Sequence, residues 1–219
     1  PQAGRSALST DSGQRLVCRH ELGQSGGMDD LLRLGEPLSY TELMELTFDG
    51  LAFRLSATCW APVGMPVDAR LRASSVEAAP LPGLVLSHRS AHWVWWGSGL
   101  APVVAEYTTR VRRRIRAARL PVVVHERDVC PAEEAELAGL ALTTPERTLY
   151  DLLYELLDAD TDEETVRAGA QAVLESVGFD EQIALTRFVA EQYRRPHLVR
   201  MRGLLGDIIP HARTLLPIR

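Results

Sequence analysis

Leucines at 149, 152, 153, 156 and 157 recur at the i, i+3, i+4 spacing that lines one face of an α-helix. Just ahead of them, Thr143-Thr144-Pro145-Glu146 supplies a start signal: a threonine to cap free backbone N–H groups, a proline whose φ suits an early helical position, and a glutamate placed for a capping box. The same spacing returns in Val166, Ala170, Val173, Leu174 and Val177, which predicts a helix over 165–177 with Gly178 as its stop. Asp180 then caps a further helix to about 193, and Pro196 introduces a last one through 205. The C-terminal third reads as a small helical bundle.

Upstream the pattern is mixed. Residues 28–67 predict a short helix, a second helix and a hairpin. Ser39 and Glu42 form a capping box that opens the second helix over 40–46, and Asp49-Gly50 marks a turn before the strands 51–55 and 58–62. Residues 67–79 read as helical until Leu81-Pro82-Gly83 interrupts before Leu84-Val85-Leu86. Ser87 can cap a helix over 88–96, which Gly97-Ser98-Gly99 ends. Segments 102–108 and 121–125 are strand-like, with 140–142 as a third short strand.

Residues 1–27 have no period and end in Gln24-Ser25-Gly26-Gly27 before Met28. They read as a flexible leader, either added sequence or an upstream extension, with Met28 the expected start. The expected class is α/β (α+β). A short, degenerate winged helix over 28–67 precedes a mixed domain over 68–210, which carries a small sheet and the helical bundle.

With 219 residues, 46% of them hydrophobic, the chain can bury a sizeable core. No apolar run approaches the ~18 to 20 residues of a membrane span, and no signal peptide opens the chain, so a cytoplasmic location is expected. Cys18, Cys59 and Cys130 are odd in number and widely spaced, as expected of reduced thiols. All 24 basic Lys+Arg positions are arginine. The lack of lysine excludes a P-loop lysine and any Schiff-base chemistry, and no cofactor is expected. A net charge of -5 argues against non-specific coating of nucleic acid, so local charge must carry any contact with phosphates.

His88 and His92 stand four apart on a predicted helix, but no carboxylate, Cys or His lies at a spacing that would nominate a third ligand. No metal site is expected. His88 is placed in the first helical turn, with His92 beside Trp93, Trp95 and Trp96. Those three rings point in different directions around a helix, which favours packing over a flat stacking platform.

Arg110, Arg112, Arg113, Arg114, Arg116 and Arg119 form the one dense run of charge and are the candidate contacts to nucleic acid or an acidic partner. Acidic residues concentrate from Glu133 to Glu164, mostly where helix faces and first turns would carry them. No Gly-x-Ser-x-Gly, His-Glu-x-x-His or Gly-x-Gly-x-x-Gly motif is present, and no catalytic residues are nominated. A binding protein is the expectation.

Two blocks carry a family resemblance. Leu86-Ser87-His88-Arg89-Ser90-Ala91 is followed about fifty residues later by Gly139-Leu140-Ala141-Leu142-Thr143-Thr144-Pro145-Glu146-Arg147-Thr148-Leu149-Tyr150-Asp151-Leu152. Together with the arginine run and the ensuing Val122-Val123-Val124-His125, they resemble the AbiEi antitoxin family over roughly 30–200. The resemblance implies a winged helix joined to an α/β domain, and a protein that neutralises a cognate nucleotidyltransferase toxin. It also implies repression of its own operon through operator DNA.

The alternative is a solitary winged-helix regulator without a toxin partner. Between Met28 and Arg72 four arginines (Arg33, Arg54, Arg70, Arg72) face seven acids, a net of -3. That balance makes the small module a poor phosphate binder and assigns electrostatic contact with DNA to Arg110 through Arg119.

Overall fold

The computed structural model describes residues 31–35, 37–110 and 121–216. The leader 1–27 and Arg112, Arg113, Arg114, Arg116 and Arg119 lie outside the described residues. The architecture is mixed α/β, with eight helices and two sheets of four and five strands among the described residues.

The first unit is built from β1 (Leu32–Leu34), β2 (Pro37–Leu38), α1 (Tyr40–Phe48), β3 (Ala52–Arg54) and β4 (Cys59–Pro62). Its sheet has the order β2-β1-β4-β3. The capping box forms as expected: the Glu42 N–H donates to Ser39 Oγ, and the Ser39 N–H donates to the Glu42 carboxylate. The hairpin β3–β4 also forms, with Phe53 opposite Ala61.

The short helix expected before α1 is instead β1 and β2. Leu32 and Leu34 alternate at the period of a strand, β1 pairs antiparallel with β4, and Gly35 at φ 88 turns the chain where a helix would continue. One helix therefore precedes the hairpin within the described residues. Leu43, Ala52 and Trp60 form its buried centre.

After α2 (Ala69–Ser74), shorter than the 67–79 expected, comes the larger sheet: β5 (Leu84–Leu86), β6 (Ala105–Thr109), β7 (Val122–Asp128), β8 (Glu134–Leu137) and β9 (Leu140–Thr143), in the order β7-β6-β5-β9-β8. All three residues of the central β5 are buried, consistent with its unbroken apolar run. β8 was not expected from the sequence, because Glu134-Ala135-Glu136-Leu137 carries too little β propensity. It forms as the partner of β9 in a hairpin turned at Ala138-Gly139, both at positive φ as the favoured two-residue turn requires.

Helix α3 (His88–Trp96) spans the expected residues. It is held at its C-terminal end by the buried Arg72, whose guanidinium donates to the carbonyls of Val94, Trp95 and Val67. Gly97 ends the helix at φ 69, and a Cβ there would stand 2.7 Å from the Arg72 guanidinium. Trp93 and Trp95 pack with the sheet core, while Trp96 packs against the helical core, so α3 is shared by both. This is the packing role expected of the tryptophans.

The bundle follows as α4 (Pro145–Asp158), α5 (Glu163–Glu175), α6 (Phe179–Glu191), α7 (Leu198–Ile208) and α8 (Ala212–Leu215). Thr144 caps α4 and Pro145 occupies its first turn. Leu149, Leu153 and Leu157 are buried, and Leu156 packs at the margin, where it fits because residue 169 on α5 is glycine: a Cβ there would lie 2.9 Å from Leu156 Cδ2. No helix among the described residues is long and apolar enough to cross a membrane.

Candidate functional site

The start of α3 and the outer strands of the larger sheet bring together charged and polar side chains that lie far apart in sequence. β6 pairs parallel with β7, placing Glu106 opposite Val123 and Thr108 opposite His125. The register shifts after Thr108, so that Thr109 meets Asp128. Thr108 Oγ1 spans the irregularity, donating to the carbonyls of His125 and Arg127. Such bulges re-aim side chains beside functional sites. The α3 end is tied to β6 by two bonds: the Ser87 N–H donates to the Glu106 carbonyl, and the Glu106 N–H donates to Ser90 Oγ.

Within this frame His88, Glu106 and His125 offer three ligand-type atoms, all within 4.8 Å of one another. The His88 and His125 rings stack with centroids 3.6 Å apart and planes 17° apart. Glu106 is buried, with one oxygen 2.6 Å from Arg89 Nε and the other 3.3 Å from His125 Nε2. Burial pushes its pKa up, but the hydrogen bonds from His125 and Arg89 outweigh burial and hold the carboxyl below its usual range.

His88 is fully buried. Its Nδ1 lies 2.9 Å from Ser87 Oγ, whereas its Nε2 has no hydrogen-bond partner among the described residues. Burial first, and then the charges of His125, Arg127, Arg147 and Arg89, push its pKa from 6.5 down to about 2. The ring is neutral at physiological pH. His88 also has φ 49, a left-handed conformation that costs a residue with a Cβ about 1–3 kcal/mol and persists where the surroundings over-determine it.

A second buried polar cluster lies at the start of α4. Arg147 Nε donates to both oxygens of Asp151 at 3.0 Å, and Nη1 donates to Glu133 and to the Asp128 carbonyl. Arg195, from the segment between α6 and α7, binds the other Glu133 oxygen. Arg147, Asp151 and Glu133 are each 4% exposed or less. They link the sheet end at Asp128 and Glu133 to the bundle.

Of the six candidate arginines only Arg110 falls within the described residues. It makes a two-pronged ion pair with Glu134 on β8 and is half exposed. His92, four residues after His88, has partners of its own, beside a tryptophan as expected. It bonds Ser176 Oγ at 2.9 Å and lies against Trp96.

The site residues that the sequence did not nominate are Glu106 and His125. They are 18 and 37 residues from His88, so no local spacing connects them. A carboxylate inside the run Ala105-Glu106-Tyr107, at a position facing inward, was the available signal.

The acidic stretch divides in the same way. Glu133 and Asp151 are buried in the arginine network, whereas Asp158, Asp160, Asp162, Glu163 and Glu164 are exposed, with Asp162 capping α5. No protein-family model matches the chain, and no curated protein matches it in sequence.

Proposed function

We propose that this chain acts by binding rather than by catalysis, as a cytoplasmic antitoxin of the AbiEi type that holds a cognate nucleotidyltransferase toxin inactive, with repression of its own operon as a second task. One observation carries the reading. The two sequence blocks that resemble the family, separated by about fifty residues, meet in one folded unit: Leu86 on β5 lies opposite Leu142 on β9, and Trp95 Nε1 donates to the Thr143 carbonyl. The Arg147 and Asp151 of the second block serve as framework, which leaves recognition to the surface.

A surface of suitable character lies next to that unit. Leu100, Val103, Val104 and Val123 are exposed around one cleft, with Arg89 on its rim. Exposed apolar patches with polar rims mark interaction sites. Of the four arginines between residues 31 and 72, Arg33, Arg54 and Arg72 donate to backbone carbonyls and are engaged within the fold. DNA contact is assigned to the arginine run from 110 to 119, of which Arg110 is paired with Glu134.

The test is co-expression with the product of the adjacent gene, which this reading expects to be a nucleotidyltransferase. The wild-type chain restores growth, and Leu100→Arg with Val103→Arg abolishes rescue while leaving the melting temperature unchanged. If the wild-type chain neither rescues growth nor copurifies with the enzyme, the reading fails.

A further inference from the structure

We propose that His88, Glu106 and His125 form a binding site for a single divalent transition-metal cation of the zinc class, taken up through His88 Nε2, His125 and one carboxylate oxygen of Glu106. The inference does not depend on the antitoxin reading. Two imidazoles and one carboxylate are a donor set that suits zinc, cobalt or iron and leaves coordination positions open. Their ligand atoms already lie within 4.8 Å of one another, on three different elements of one rigid frame.

The observation that points to a ligand is the orphaned His88 Nε2. A buried polar atom without a partner is expensive, and the same residue also bears the strain of φ 49. A bound cation satisfies that atom. Its surroundings fit the role: when Nδ1–H donates to Ser87 Oγ, Nε2 presents a bare lone pair, and the bond at Nδ1 fixes the ring's orientation as it does for metal-bound histidines. Arg89 holds one Glu106 oxygen and leaves the other as a monodentate ligand. Of the three ligands Glu106 lines the surface cleft, beside Arg89 and Val123.

Two features oppose a cation and both can be met. Arg89, Arg127 and Arg147 bring positive charge near His88; Arg127 and Arg147 are paired with Asp158 and Asp151, and Arg89 shares Glu106 with the cation, one carboxylate oxygen to each. The rings stack in nearly parallel planes with centroids 3.6 Å apart, and a cation cannot lie in both ring planes at once. Uptake therefore turns the His125 ring, which is partly exposed, about its soft χ2 torsion.

The experiment is titration of the chelator-treated, full-length protein with Co²⁺, read as visible d–d absorption, and with Zn²⁺ in competition against a chromophoric chelator. One equivalent is expected to bind. His125→Asn, at a partly exposed ring, and Glu106→Gln are expected to weaken binding at least tenfold, while His92→Asn leaves it unchanged. Circular dichroism verifies that each variant is folded, and His125→Asn keeps the test decisive if a change at the buried Glu106 disrupts the fold. The proposal is overturned if the folded wild-type protein takes up no cation at micromolar concentrations, or if uptake persists unchanged in folded His125→Asn.

Discussion

Two buried polar clusters lie close together at the same sheet-and-helix junction, and they are finished to different degrees. Around Arg147 every charged oxygen has a donor: Asp151 receives Nε, Glu133 receives Nη1 and Arg195, and the Asp128 carbonyl takes a further bond. Around His88 the accounts stay open, with an imidazole nitrogen that has no partner among the described residues and a backbone in the left-handed region. A closed network rigidifies a fold and leaves nothing for a ligand to gain. An open one of the same burial holds free energy that a ligand can release.

The largest effect that tests this contrast is expected from Arg147→Met. It leaves Asp151 and Glu133 as buried, uncompensated carboxylates, and stability measured by denaturant unfolding should fall by about 3–5 kcal/mol. Adding Asp151→Leu and Glu133→Gln to that variant should restore most of the loss, because the cost lies in the stranded charges. If Arg147→Met alone is neutral, the cluster is not the framework described above.

An intermediate effect is expected from acid. Burial pushes the Glu133 carboxyl up, but Arg147 and Arg195 together hold it below the ordinary value of 4.5. A depressed carboxylate contributes stability that is fully present above its unfolded pKa and is lost as pH falls through the folded one. Unfolding free energy should therefore decline below pH 4.5, with Glu133 adding at most about 1.4 kcal/mol per pH unit. Glu133→Gln should flatten that limb, and a slope identical to wild type would mean that Glu133 is not held by its arginines.

The smallest effect sharpens the other side of the comparison. His125→Asn in metal-free protein removes one hydrogen bond to Glu106 at a partly exposed position and should cost about 1 kcal/mol or less by the same unfolding measurement. A loss as large as that of Arg147→Met would show the His88 cluster to be framework as well.

Local chemistry was legible wherever a few neighbouring residues decide the outcome. The Ser39–Glu42 capping box and the Thr144 cap of α4 follow from side chains that satisfy nearby backbone groups, and both stand in the structure; α3 keeps its expected 88–96 bounds with Gly97 as its stop, but Ser87 makes no side-chain cap and its hydroxyl meets His88 Nδ1 instead. The leucine face of α4 was likewise readable, because helical period and burial go together. The segment around Leu32 was misread, since three residues cannot distinguish the two periods and only pairing with β4 selects the strand. β8 was missed for a similar reason, its existence resting on β9 beside it.

By itself, then, the sequence determined the α+β character, the starts of α1, α3 and α4, and the absence of lysine chemistry, because composition and contacts within a turn or two settle these; α2 is shorter than expected, and α6 starts from Gly178, with Asp180 in its first turn. Tertiary structure decided what the polar residues are for. Arg147 and Asp151 at i, i+4 read equally well as an exposed helical pair, and only the packing of α4 against the sheet buries them. His88, Glu106 and His125 become neighbours only when β6 pairs with β7 and α3 folds back on both. Sequence spacing carries no record of that juxtaposition.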